Sequence, residues 1–243
     1  MRSGNPVLRD STFEIPNVTG ERMTVGGTVN KTAMLLALTL ITAAYTWGQF
    51  NETRDPASVQ GLMLIGLIGG LVVAMITVFK TQAVPYTAPI YALLEGLFLG
   101  GVSAMFEARM PGVAIQAVGL TFGTLFCMLA AYRSGLIKAT EKFKLGVVAA
   151  TGAICLLYVV NMVLGMFGRP IGFIHESGTV GILFSAFVVV IAALNLVLDF
   201  DFIERGAEQG APKYMEWYGA FGLLVTLIWL YLEILRLLGK SRN

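Results

Sequence analysis

Hydrophobic residues occur along this chain in long continuous runs separated by short polar segments. Seven apolar runs can be marked, at 32–50, 61–79, 88–106, 112–132, 145–167, 178–202 and 216–238. A helix needs about 20 apolar residues to cross roughly 30 Å of hydrocarbon, and each run is close to that length. A transmembrane β-barrel would instead show stretches of about ten residues with alternating polarity. The pattern therefore predicts an all-α integral membrane protein, a bundle of seven transmembrane helices.

Little of the chain lies outside these runs. Residues 1–31 read as a polar N-terminal tail, 32–239 as a single transmembrane domain and 240–243 as a C-terminal tail. The connections are too short for a separate soluble domain. The first run lacks the cleavage site of a signal peptide, so we expect it to remain as the first span.

Composition narrows the class of protein further. Hydrophobic residues make up 56% of the chain and charged residues 13%, whereas a soluble domain has about 25% charged residues. The mean hydropathy is +0.74, which excludes a disordered chain. A net charge of +2 gives no reason to expect nucleic acid as a partner. The chain has no nucleophile paired with a histidine base, no zinc motif and no phosphate loop. We therefore predict neither an enzyme nor a tightly bound cofactor.

The distribution of Lys and Arg predicts the orientation. Eleven of the 17 basic residues flank the runs on the side of the N-terminus, and six lie on the opposite side. Basic residues favour the cytoplasmic side, so the count predicts a cytoplasmic N-terminus and an external C-terminus. Three of the six lie in the last eight residues, which leaves open a six-span form with both ends inside.

Small residues and prolines bear on how the helices pack. Pairs of the form G-x-x-x-G occur at 66–70, 96–100 and 119–123, and such pairs let helix backbones approach closely within a bundle. Proline is confined to the ends of the runs and the connections, as at Pro85 and Pro89. The broken helices of many ion-coupled carriers are not indicated, which disfavours a proton-coupled solute carrier.

Four carboxylates lie within the runs beyond their first residue: Glu95, Asp199, Asp201 and Glu233. Inserting a charge at membrane depth costs about 2.5–3.5 kcal/mol, so each is a candidate functional residue. The third run enters the membrane from the N-terminal side, and the sixth leaves toward that side. At 1.5 Å per residue, Glu95 and Asp199 are expected at similar depth. Glu233 is expected in the opposite half of the membrane.

Helical geometry separates the roles of these acids. Residues two apart on a helix point about 200° apart, so Asp199 and Asp201 cannot both face the bundle. Asp201 has Arg205 at i+4, and such neighbours form ion pairs. We therefore assign Asp199 to the buried position and Asp201 to the interface. Glu233 has Arg236 at i+3, which predicts a structural ion pair, with a gate as the alternative.

Two close carboxylates in a region of low dielectric constant cannot both ionise easily, so such a pair shares a proton. Loss of that proton changes the local charge and can open a packed site, and carboxylate oxygens also suit Ca²⁺. We therefore predict a proton-sensitive cation site at Asp199 and Glu95, which would hold Ca²⁺ transiently. The alternative is that these acids only fasten neighbouring helices through hydrogen bonds.

Three motifs within residues 30–239 resemble the Bax inhibitor-1 family in its bacterial branch. They are E-G-L-F-L-G at 95–100, L-D-F-D-F-I-E at 198–204 and L-Y-L-E-I-L-R-L-L-G at 230–239. The resemblance implies a bundle with the seventh span at its centre, in the bacterial inner membrane. It also implies a passive, pH-dependent calcium leak governed by aspartates on the sixth and seventh spans.

Asp199 matches the aspartate of the sixth span, whereas the position of the seventh-span aspartate is occupied by Thr226. Glu95, and less directly Glu233, are the acids that could replace it. Bacterial members are also linked to the control of a membrane-bound protease. A regulatory protein that binds such a protease, or another integral partner, without transporting ions is therefore the alternative function.

Overall fold

Seven long helices make up most of the chain in a computed structural model, which describes residues 21–169, 172 and 178–242. The helices are α1 (Val25–Thr53), α2 (Ala57–Phe79), α3 (Val84–Arg109), α4 (Val113–Arg133), α5 (Glu141–Met166), α6 (Thr179–Glu208) and α7 (Met215–Ser241). All seven are long and apolar enough to cross a membrane, which confirms the predicted fold class.

The helices extend beyond the apolar runs. α1 begins at Val25, so residues 25–31 of the predicted tail are helical, and residues 1–20 lie outside the described part. Thr24 caps α1, because its hydroxyl accepts a hydrogen bond from the amide of Gly27 at 2.9 Å. Because the number of spans is odd, α1 begins at one end of the bundle and α7 finishes at the other. We call the end where α1 begins the N side and the end where α7 finishes the C side.

α7 is the centre of the bundle. It has the largest buried share of the seven spans, 56% of its most apolar window. It packs against α1, α3, α4 and α6, whereas α2 packs mainly on α3 and α5 mainly on α6. Leu224, Leu230 and Leu235 on α7 are almost completely buried. The last helix is thus central, as the family resemblance implies, with four helices packed closely along it.

The outer surface of the bundle is apolar. On α2, for example, Ile68 is 60% exposed and Leu71 is 64% exposed. Such a surface is unstable in water but matches the hydrocarbon of a bilayer. The two cysteines, Cys127 and Cys155, are also exposed and unpaired.

α1 contains several threonines that membrane insertion would disfavour if their hydroxyls were unpaired. The hydroxyls of Thr28, Thr32 and Thr39 each donate to the carbonyl oxygen four residues earlier, at 2.9–3.0 Å. This pairing within the helix satisfies the hydroxyl groups. The threonines can therefore lie on the buried face of α1.

Two of the three predicted glycine pairs lie at close helix contacts. A Cβ atom at Gly96 or Gly100 would collide with backbone atoms of α1, at Thr39 and Ala43 respectively, and one at Gly66 with backbone atoms of α3. At Gly119 and Gly123 on α4, a Cβ would meet nothing within 4 Å. Intramolecular packing thus accounts for the first two pairs, but not for the third.

This difference predicts opposite effects of the same substitution. Gly96→Ala should destabilise the folded protein by about 1–3 kcal/mol, because the added methyl group overpacks the α1–α3 contact. Gly119→Ala should be neutral or stabilising by up to about 1 kcal/mol, since alanine favours a helix. Unfolding in detergent micelles measures both. Equal stability of the two variants would contradict the close contact.

α3 differs from the sequence prediction in its first turns. The apolar run begins at residue 88, which places Pro85 before the third span and Pro89 at its very start, but α3 begins at Val84 and includes both. Pro85 occupies the first turn, where proline is well tolerated, and Pro89 lacks the N–H that would bond the carbonyl of Pro85. The helix nevertheless continues through Pro89 to Arg109, so it is not broken at membrane depth.

Candidate functional site

Asp199 lies in the crevice between α6 and α7. Nine residues separate it from the N-side end of α6 at Glu208, which corresponds to a depth of about 14 Å. One carboxylate oxygen, Oδ2, is completely enclosed and has no hydrogen-bond partner among the described residues. A buried polar atom without a partner is rare in folded proteins and points to a proton, water or ion at the site.

Thr226 on α7 faces Asp199. Its hydroxyl lies near the Asp199 carboxyl group, and a Cβ at Gly222 would lie 3.9 Å from Asp199 Oδ1. Thr226 lies eleven residues after the start of α7, at a depth of about 16 Å. The structure thus places Asp199 opposite the position that the family resemblance assigns to a second aspartate.

Glu95 on α3 lies at the same depth but in different surroundings. It is eleven residues from the N-side start of α3, or about 16 Å. The Tyr91 hydroxyl lies near its carboxylate. A Cβ at Gly70 on α2 would lie 2.9 Å from Glu95 Oε1. Glu95 therefore faces the contact between α2 and α3.

The predicted pair of Glu95 and Asp199 is not formed by any contact within the described residues. Tyr91, the partner of Glu95, packs on Phe221 of α7 with 5.0 Å between ring centroids. Phe221 and Thr226 point about 140° apart around α7. Glu95 thus approaches α2, whereas Asp199 approaches α7.

Asp201 points away from the crevice, as its spacing from Asp199 predicts. It forms ion pairs with Arg205 at 3.0 Å and with Lys144 of α5 at 2.6 Å. Together with Glu204 and Tyr132 it lines a polar cavity of about 550 Å³ near the N side, where the Tyr132 hydroxyl donates to Glu204. Asp201 is therefore a compensated residue at the edge of a polar vestibule.

Glu233 is buried within the bundle, with 1% of its surface exposed. It pairs with Arg236 at 2.7 Å, and the hydroxyl of Tyr158 on α5 donates to it at 3.0 Å. The ion pair predicted from the i+3 spacing is present. It connects α5 to α7 on the C side of the bundle.

A buried acid on the N side is missing from the sequence-based set. Glu216, whose side chain is 0% exposed, contacts Lys31 at 2.5 Å and Lys213 at 3.3 Å. The amide and the hydroxyl of Thr24 both donate to it at 2.9 Å. Glu216 begins the seventh apolar run, where a charged residue looks interfacial. Its partner Lys31 lies 185 residues away, so local spacing gives no signal for the pair.

A second cavity of about 550 Å³ lies among α1, α3, α4 and α7. Its walls are mostly apolar, although Glu107 also lines it, and the hydroxyls of Ser103 and Tyr231 form a hydrogen bond there at 2.6 Å. Asp199 does not line this cavity. Among the described residues there is also no group of three His, Cys, Asp or Glu side chains that could hold a metal ion.

Comparison with known proteins gives a family for this fold. A family model described as Bax inhibitor 1 like matches residues 5–243. The chain belongs to this family. Searches of curated proteins and of solved structures gave no significant match. Family membership agrees with the seven-helix membrane bundle, and in this Bax inhibitor 1-like protein the enclosed acid of the α6–α7 crevice is Asp199.

Proposed function

We propose that this protein is a passive calcium leak in the bacterial inner membrane and that the proton on Asp199 is its switch. One observation carries the proposal: the Oδ2 atom of Asp199 is enclosed in the α6–α7 crevice without a hydrogen-bond partner. Family membership supports it. In the proposed orientation the N side is cytoplasmic.

The charge on Asp199 determines whether the crevice can stay closed. Within the described residues, no Lys or Arg side chain forms an ion pair with Asp199. An ionised carboxylate without such a partner is unfavourable in a packed apolar site. The closed crevice therefore suits the neutral acid. When the proton is lost, the crevice must admit water or a cation, which opens the contact between α6 and α7. Calcium flux is therefore low at acidic pH and rises with increasing pH.

The other acids have supporting roles in this proposal. Asp201 and Glu204 lie beside Arg133 and Lys138 in the polar cavity on the N side, which keeps that end of the bundle hydrated. Glu233 and Arg236 fasten the C side of the bundle. Glu95 forms a separate acidic site at the α2–α3 contact, beside the ion pathway.

Purified protein in calcium-loaded vesicles tests the function. We expect calcium release above that of empty vesicles, increasing from about pH 5 to about pH 8, the range in which a buried carboxyl group can titrate. Release equal to that of empty vesicles at every pH would overturn the proposal. It would favour the alternative that the protein regulates a membrane-bound protease or another integral partner without transporting ions.

A further inference from the structure

A short segment before α1 is fixed across the N-side ends of α6 and α7. This N-terminal strap, residues Glu21–Thr24, pairs in antiparallel fashion with the connection between the two helices. The Met23 amide donates to the Ala211 carbonyl at 2.7 Å, and the Lys213 amide donates to the Glu21 carbonyl at 3.1 Å. Arg22 and Pro212 form the bridge between these two bonds.

Met23 fills the space between the two helices. It is 2% exposed and belongs to the same core cluster as Ile203. A Cβ at Gly206 of α6 would lie 2.9 Å from the Met23 sulfur, and one at Gly219 of α7 would lie 3.6 Å from its Cε. A glycine on each helix thus makes room for this side chain.

The Met23 side chain lies on the N side of Asp199. Ile203 follows Asp199 by four residues on α6. Gly219 precedes Gly222 by three residues on α7, and Gly222 adjoins the Asp199 carboxylate. Three or four residues are one helical turn, about 5 Å. Met23 therefore closes the α6–α7 crevice one turn to the N side of Asp199.

Glu216 holds the strap in place. Its carboxylate accepts hydrogen bonds from both the amide and the hydroxyl of Thr24. Lys31 and Lys213 neutralise its charge. Lys213 also approaches Glu21 at 3.6 Å. Because hydrogen bonds to a charged acceptor are strong, Glu216 couples the position of Thr24, and with it Met23, to the start of α7.

We propose that the N-terminal strap is the N-side gate of the Asp199 crevice, with Met23 as the plug and Glu216 as the latch. Solutes on the N side reach Asp199 only when the strap leaves the crevice. The proposal rests on the proposed function for its purpose, but its geometry can be tested without any measurement of calcium.

The test measures access to position 222, beside Asp199, with a water-soluble thiol reagent added from the N side. Gly222→Cys supplies the probe in a background with Cys127→Ala and Cys155→Ala. Met23→Ala removes the plug and Glu216→Gln weakens the latch, whereas Met23→Leu keeps an apolar side chain of similar volume. We expect labelling at least about tenfold faster in the first two variants, because truncating a buried methionine strongly favours opening. Met23→Leu should label like the parent. Equal labelling rates in all variants would overturn the proposal.

A cross-link provides a second test if a variant fails to fold. Bridge partners in antiparallel chains have Cα atoms about 4.5–5.5 Å apart, a separation that permits a disulfide. Arg22→Cys with Pro212→Cys should therefore lock the strap. In the oxidised protein, labelling at position 222 should be slower than in the parent, and reduction should restore the parental rate. Labelling that is unaffected by oxidation would contradict the gate.

The outcomes separate the gate from the calcium leak. If labelling responds as expected but vesicles release no calcium, the gate stands and the proposed function fails. If calcium release depends on pH but labelling is the same in every variant, the function stands and the gate fails. If both respond, Met23→Ala should also increase calcium release relative to Met23→Leu.

Discussion

Asp199→Asn is expected to abolish the pH dependence of calcium release from vesicles. Asparagine is uncharged at every pH and has nearly the shape of the protonated aspartic acid, so the crevice should remain in its closed, neutral state. Release should stay at the acidic level of the parent from about pH 5 to about pH 8. At the upper end of this range, the variant should therefore lack all of the calcium release that the parent gains above its acidic level.

Asp201→Asn is the matched control, because it makes the same chemical change two residues away. Asp201 is already paired with Lys144 and Arg205 and points away from the crevice. Its substitution should leave the pH midpoint of release in place, with at most a small change in rate. If Asp199→Asn retains the parental pH profile, or if Asp201→Asn alone removes it, Asp199 is not the switch.

The second large effect is expected on stability, from Arg236→Ala. Glu233 is buried and relies on Arg236 at 2.7 Å for compensation of its charge. Removing one partner of a buried ion pair destabilises by about 3–5 kcal/mol. Because 39% of the Arg236 side chain is exposed, we expect a loss at the lower end, about 3 kcal/mol. Denaturation in mixed micelles measures it.

Arg242→Ala is the control for this prediction. Arg242 is also near the C side but is exposed, and it contacts the Pro111 carbonyl and Gln116. Its loss should change stability by no more than about 0.5 kcal/mol. The double variant Glu233→Gln with Arg236→Ala should recover part of the stability, since no buried charge is then left unpaired. Equal effects of the two arginine variants would refute the buried ion pair.

The sequence predicts the number of spans and the depth of the acids because both depend on local quantities. Continuous apolar runs mark the helices, and rise per residue places Glu95 and Asp199 at similar depth. The i+3 and i+4 neighbours Arg236 and Arg205 are also found where spacing predicts them.

The orientation of each acid around the bundle depends on which helices are neighbours, and no local pattern encodes it. Glu95 shares its depth with Asp199, yet it approaches Gly70 of α2, whereas Asp199 approaches Gly222 of α7. Glu216 illustrates the same limit. Its partners Thr24 and Lys31 come from the opposite end of the chain, and only the assembled fold shows that the acid is buried.

The proposed mechanism requires Asp199 to release its proton over the pH range in which the protein opens. Difference infrared spectroscopy of the reconstituted protein detects the carbonyl stretch of a protonated carboxyl group, and subtraction of the Asp199→Asn spectrum assigns the band to Asp199. This band should disappear with increasing pH, at the same midpoint as the rise in calcium release. A band that stays constant while calcium release changes would contradict it.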